Sequence, residues 1–442
     1  MLKLLISGLG VFIASAISYV SGAPLQIVLA MQLFSGYYLI KTAIAYNGRT
    51  VNPLSLFVIM SSLYIFSGAV EACYLGNRLG LDEDLMIYYS QLGLVYLSMS
   101  LIGFIITSIK DKFHNFAIDA GMIRIFRRAN FFLLLAISIS AISTFGLNIG
   151  DYTRFEIYSS NITLMTFGRS VFVIWIVIYC VSIHAREEFL GQKMIRDRIL
   201  AGLMVLIYLG LDTLILGDRR LFVTGFLAAG VIIFPKKIGV VRGLVLSIVA
   251  AMFLLLGFVR NSPISRWGEI LFDGDLAVAI SPASNEFGGI AIIGSLVGRA
   301  ESVAPNFPNY LQSIGQQFPR AIYPDRPLAP TEWFAKNYFY DIYVDGGSYA
   351  FNSIIEANIN GGLLAIVLIG FLLGVAIKKL TGVYFRGLPV GACLCVFIFC
   401  FSMRMDFSSI LKTALHSSVG LAILVLISTA SIGRSAAGGR TS

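Results

Sequence analysis

In the stretch SYAFNSIIEANINGGLL, Glu356 and Asn360 stand four residues apart, so on a helix both project from one face. A carboxylate in such a place is either a general base or the counter-ion of an arginine. Arginines are close by in the chain. Arg299 is followed by Glu301, with Asn285 and Glu286 upstream. The segment PRAIYPDRP carries Arg320, Tyr323, Asp325 and Arg326 between three prolines. Proline fixes its own φ and drives the preceding residue toward an extended conformation, and a strip stiffened in this way loses little entropy on holding a ligand. The competing reading is a surface turn closed by an Asp325–Arg326 or Asp325–Arg320 pair.

A further pair, Arg219 and Arg220, lies in the turn LGDRRLF, and Arg154 lies in GDYTRFEIYSSNITLMTFGRS. Guanidinium groups bind phosphate or carboxylate in a planar, bidentate way that lysine does not reproduce. The chemistry these residues suit is therefore recognition of an anionic group, with Glu356, Glu301 or Asp325 as the proton acceptor. Asp212 and Asp218 are the structural competitors for Arg219 and Arg220.

The elements that must position these side chains follow from composition. Hydrophobic residues make up 57% of the 442-residue chain and charged residues 13%, against roughly 25% charged in an ordinary soluble domain. Apolar runs recur along the whole chain, each long enough for a helix to cross a ~30 Å hydrocarbon core. The fold class predicted is an all-α polytopic integral membrane protein. Spans are expected near 4–20, 25–45, 54–75, 86–107, 129–147, 169–184, 199–217, 221–234, 240–259, 354–377, 388–403 and 412–430. Three regions result: transmembrane helices over 1–259, a large extracytoplasmic loop subdomain over 260–353, and transmembrane helices with a tail over 354–442.

Lysine-bearing connections alternate along this map, at Lys110 and Lys112, Lys193, Lys236 and Lys237, and Lys378 and Lys379. The positive-inside rule then places them, and both termini, in the cytoplasm. The first run, MLKLLISGLGVFIASAISYV, also has the outline of a signal peptide, although the short SGAP link that follows suits a helical hairpin. The formal net charge of +9 is thus a matter of sidedness, and nothing in it requires nucleic acid. Positive charge on the outer side is almost all arginine.

The eighth span is short, about 14 residues or roughly 21 Å, so Arg219 and Arg220 are expected at or below the outer boundary. There a charge needs a partner or a wet cavity. The long outer loop is too rich in aromatic and branched residues to be a disordered tract. EFGGIAIIGSLVGRAESV predicts a short helix or re-entrant segment after a glycine hinge. NFPNYLQSIGQQF predicts an amphipathic helix between proline stops, and WFAKNYFYDIY an aromatic belt at the membrane–water boundary.

All five cysteines, Cys73, Cys180, Cys393, Cys395 and Cys400, fall inside apolar runs and read as packing thiols rather than as a disulfide framework or zinc site. No GxxxxGK[ST] or HExxH motif is present. No histidine falls in a long outer loop: His114 and His184 map to the cytoplasmic side and His416 to the last span.

The chain resembles the Wzy-type O-antigen polymerases, the oligosaccharide repeat-unit polymerases. The resemblance is carried by GDRRLF at Gly217–Phe222, by the late outer loop ending in PRAIYPDRP, and by Ser353, Glu356, Ala357, Asn358, Asn360, Gly361 and Gly362. Arg154 and Gly168 loosely match the spaced Arg…Gly loop motif of some members. The resemblance implies a metal-independent glycosyltransferase with GT-C-like membrane architecture and no cofactor, in a bacterial inner membrane. Its implied substrates are oligosaccharides on undecaprenyl diphosphate at the periplasmic face, with a Wzz-type chain-length regulator as a further partner.

On that reading Arg154, Arg219, Arg220, Arg299, Arg320 and Arg326, with Tyr323 and Asn360, bind substrate, and Glu356 leads Glu301 and Asp325 as base. Two rival readings are an O-antigen ligase, which generally relies on an outer-loop histidine, and a lipid-linked oligosaccharide flippase or transporter. A transporter is expected to place charges near mid-membrane in broken helices.

Overall fold

The computed structural model describes residues 2–47, 53–107, 120–145, 193–215, 288–299, 307–318, 322–344, 350–385 and 405–412, with isolated positions between 168 and 191 and at 266, 268–270, 403 and 415. Every regular element among the described residues is helical. Six helices are long and apolar enough to cross a membrane, as in a polytopic membrane protein: Leu2–Val20, Leu25–Tyr46, Phe57–Tyr74, Glu83–Ile106, Ile123–Ser143 and Ser353–Lys379. They coincide with six of the spans expected from the sequence. The runs at 221–234, 240–259 and 388–403 lie almost wholly outside the described residues, as does most of 412–430.

The elements are α1 (Leu2–Val20), α2 (Leu25–Asn47), α3 (Pro53–Tyr74), α4 (Glu83–Ile106), α5 (Ala120–Phe145), α6 (Ile195–Ile215), α7 (Gly289–Val297), α8 (Tyr310–Gly315), α9 (Pro330–Tyr338), α10 (Tyr340–Val344) and α11 (Ser353–Phe385). Helix α4 is the axis of the core, packing along α11 and against α2 and α3. It starts cleanly because Asp82 accepts the Leu85 N–H at 3.0 Å, and Glu83 and Asp84 in its first turn complement the helix dipole. Contact with α11 depends on glycine. A Cβ at Gly370 would meet the Tyr96 carbonyl oxygen at 2.7 Å, and one at Gly374 would run into the Ser100 carbonyl. Small residues let two backbones approach in this way where no hydrophobic effect drives helices together.

Helix α5 starts about nine residues before its expected span and carries Arg124, Arg127 and Arg128 in its first turns. Arg127 donates to Asp197 of α6 at 3.2 Å, and Tyr179 donates to the same carboxylate oxygen at 2.7 Å. That pairing explains why the cationic stretch is helical rather than loop. Cys180 is buried and free, and Cys73 is partly buried and free, as expected for packing thiols.

The short outer helix expected in EFGGIAIIGSLVGRAESV is α7, and it is wedged against α3 and α4. Ile290, Ala291, Ile293, Gly294 and Val297 are buried, and Tyr89 of α4 donates to the Gly298 carbonyl at 2.5 Å. The aromatic belt expected in WFAKNYFYDIY turns largely inward instead. Trp333 and Phe334 are buried among Phe307, Tyr338, Phe339 and Phe351, while Tyr340 stays 63% exposed. Edge-to-face packing of these rings adds to the apolar area they bury. The exposed large apolar residues of α1 and α11, such as Ile13, Ile17, Leu364 and Leu372, form faces that a bilayer solvates.

Candidate functional site

The site is built at the start of α11. Asn352 caps it, its Oδ1 accepting the N–H groups of Ile354 at 2.8 Å and Ile355 at 3.2 Å, while its Nδ2 donates to the Met403 carbonyl. Two turns later the helix is broken. Gly361 is extended (φ −175°), and Gly362 takes φ +56° with ψ −149°, a conformation close to a region that only glycine populates readily. The segment Ser353–Asn360 is therefore a short helix of its own, buried on nearly every side, ahead of the longer apolar part of α11.

Glu356 projects from this short helix into the protein and is 1% exposed. Its Oε2 accepts the Phe407 N–H at 2.7 Å, and its Oε1 is buried without a hydrogen-bond partner among the described residues. The preceding residue, Asp406, is fully buried as well. Its Oδ1 accepts the Ser409 N–H, capping the helical turn that starts at Phe407, and its Oδ2 accepts the Thr331 N–H of α9 at 3.2 Å. Two carboxylates from separate parts of the chain thus flank one peptide unit. Burial pushes the Asp406 carboxyl above its ordinary range, and the N–H groups of Ser409 and Thr331 pull it part of the way back.

Helices α8 and α9 and the segments beside them close over this pair. Helix α8 begins with a capping box in which Asn309 and Gln312 satisfy each other's backbone N–H groups, at 2.9 Å each. Gln317 just beyond it donates to Ser408 at the carbonyl (3.1 Å) and the hydroxyl (3.2 Å). The ring of Tyr310 stands edge-on to Phe407 at 5.4 Å. Burial raises the Tyr310 hydroxyl pKa, and the nearby Glu356 carboxylate raises it further.

The other expected site residues fall into distinct places. Asn360 stacks one turn from Glu356 as expected, but its Nδ2 donates to the Glu356 main-chain carbonyl at 3.1 Å. Arg299 donates to Asp84 of α4 at 2.8 Å, and Asp84 also accepts the Tyr19 hydroxyl of α1 at 2.7 Å. The guanidinium lies over the Tyr88 ring at 5.3 Å, so this arginine joins α1, α4 and the end of α7. Arg326 reaches neither its neighbour Asp325 nor solvent alone: it donates to the carbonyls of Gln316 (3.1 Å) and Phe318 (3.2 Å). The described part of the strip, 322–327, is thereby clasped to the chain just past α8. Tyr323 and Asp325 are exposed on it. Arg154, Arg219, Arg220, Glu286, Glu301 and Arg320 lie outside the described residues.

Asp406 and Asn352 belong to this candidate site without being singled out by any functional motif in the sequence. A signal for Asp406 exists, since Asp-Phe-Ser-Ser just before an apolar run is an N-cap pattern. What no local pattern carries is the partner, because Phe407 lies 51 residues from Glu356. Among the described residues no group of three or more His, Cys, Asp or Glu side chains is placed to hold a metal ion. Chemically, the arrangement offers a proton acceptor at Glu356 Oε1 that is closed off in this state.

No family model, characterised protein or solved structure matches the chain.

Proposed function

We propose that this chain is a membrane glycosyltransferase of the repeat-unit polymerase type, with about twelve spans and a GT-C-like layout in a bacterial inner membrane. The observation that carries the reading is Glu356: a carboxylate oxygen without a partner among the described residues, held in a short helix ahead of a glycine break, beneath the α8 and α9 segments clasped over it by Gln317 and Thr331. A buried acid with unused acceptor capacity is a frequent mark of a working site.

In the reaction proposed, a hydroxyl on the terminal sugar of a new lipid-linked unit attacks the anomeric carbon of the growing chain. The bond from that carbon to the diphosphate oxygen breaks, and the electron pair leaves with undecaprenyl diphosphate. Glu356 accepts the hydroxyl proton once residues 403–409 swing aside. Developing negative charge on the departing diphosphate calls for preorganised cations, a role for which Arg219, Arg220 and Arg320 are the proposed residues. Arg299 and Arg326 shape the walls through Asp84 and the carbonyls just past α8.

Deletion of the gene tests the reading. Surface glycan limited to a single repeat on its acceptor is the expected phenotype, and unchanged long polymer would refute polymerisation. A second reading, a lipid-linked oligosaccharide flippase, draws on the same broken helix and buried acids, since transporters place such features at their binding sites. Its outcome is different: the deletion would leave the acceptor bare.

A further inference from the structure

A cavity of about 360 Å³ opens on the outer subdomain between α8, α9 and the strip that ends in Pro327, within the roughly 300–1,000 Å³ range of small-molecule sites. Phe307, Pro327 and Trp333 give it apolar walls, and Gln312, Lys336 and Asn337 are its polar groups. The walls are rigid. Trp333 is only 4% exposed and packs edge to face on Phe307 at 4.9 Å, and Pro327 sits on the strip that Arg326 clasps to α8. The polar groups are mixed. Gln312 uses Oε1 on the Asn309 N–H, which leaves its NH₂ as a donor. Asn337 uses Nδ2 on the Trp333 carbonyl at 2.8 Å, which leaves its Oδ1 as an acceptor.

The third polar group decides the ligand class. Lys336, exposed in the last turn of α9, is a cation of the lining, and among the described residues no acidic side chain lines the cavity. The acid one turn before it, Glu332, has its Oε2 on the Ala329 N–H at 3.3 Å. The aromatic contact of Lys336 is a distant one, 5.9 Å from the Tyr343 ring centre. An apolar wall, one donor, one acceptor and an ammonium without an acidic neighbour among the described lining residues complement a ring with a C–H face, hydroxyls and a single carboxylate.

We propose that this cavity is a subsite for a carboxylate-bearing sugar, a uronic acid residue of the repeat unit, with Lys336 taking the carboxylate. The assignment rests on the glycosyltransferase reading above and narrows it to acidic repeat units. Full-length protein in detergent is titrated with methyl β-glucuronoside, methyl β-glucoside and inorganic phosphate, followed by tryptophan fluorescence and by calorimetry. Glucuronoside binds about tenfold tighter than glucoside, in keeping with a hydrogen bond to a charged group. Lys336→Gln erases that preference and keeps the glucoside affinity, and Lys336→Arg restores it.

Equal affinities in the wild type, a preference that survives in Lys336→Gln, or phosphate binding as tightly as glucuronoside would each overturn the proposal. The last would mean a plain anion site. Acetylation of Lys336 in the wild type needs no variant to fold: glucuronoside slows it and glucoside does not, and equal rates with both would also overturn it. The titration is independent of the deletion experiment. Long polymer in the deleted strain removes the polymerase reading while leaving the binding result intact, and a failed titration leaves the deletion phenotype intact.

Discussion

Glu356 works in two capacities, and substitutions separate them. Removing the acceptor in Glu356→Ala leaves the part-buried Phe407 N–H unpaired, a loss of about 1–3 kcal/mol that thermal unfolding in detergent reads directly. Glu356→Gln keeps an oxygen for Phe407 and so melts close to the wild type, yet it has no basicity, and turnover falls by about 10²–10⁴-fold. Asp406 gives a pH signature. Its carboxyl is raised by burial, so the folded state holds the proton to higher pH than the unfolded chain, which releases it near ~3.9. The contribution of this group to stability is present below that value and is lost as pH rises through the raised one. The melting temperature should fall across this window in the wild type and less steeply in Asp406→Asn. At this scale Glu356 was legible in the sequence because an acid two turns before Gly-Gly in an apolar run has few structural excuses. Its coupling to Asp406 was not, since tertiary closure alone brings residues 356 and 406 together. The arginines teach the reverse lesson. Arg299 and Arg326 have the residue type of anion binders, and their geometry has them holding Asp84 and the Gln316 and Phe318 carbonyls just past α8.

Helix α11 is legible as one apolar run and is built as two helices. The break at Gly361–Gly362 is invisible to hydropathy, although the Gly-Gly pair is its sequence trace. A Cβ at Gly362 would meet nothing within 4 Å, so the effect of Gly362→Ala comes from backbone conformation alone, about 1–3 kcal/mol. The expected outcome is a lowered melting temperature together with loss of activity, as the short helix realigns with the rest of α11. Gly374→Val probes the other half: with the Ser100 carbonyl already against the glycine, the valine pushes α4 and α11 apart and costs at least about 1–3 kcal/mol. The outer helices α7, α8 and α9 follow their local signals well, with Asn309 and Pro330 at their starts. The fate of Trp333 and Phe334 could not be read locally, because an aromatic run serves a boundary or a core equally well until its neighbours are placed.

Across the whole molecule, the alternation of lysine-rich connections with arginine-bearing ones yields a topology that single-cysteine labelling can check. A cysteine at Lys379 should react only after the membrane is permeabilised, and one at Tyr323 should react from outside. The six apolar helices and the glycine-mediated α4–α11 contact give the frame, and Phe407 and Ser408, held in turn by Gln317, cover Glu356. The account stands or falls on whether that sealed carboxylate serves polymerisation. The direct measurement incubates purified wild-type and Glu356→Gln protein with lipid-linked repeat units and resolves the products by size. The expected result is a ladder from the wild type and single units from a Glu356→Gln protein of unchanged melting temperature. A ladder formed by Glu356→Gln at the wild-type rate would contradict it.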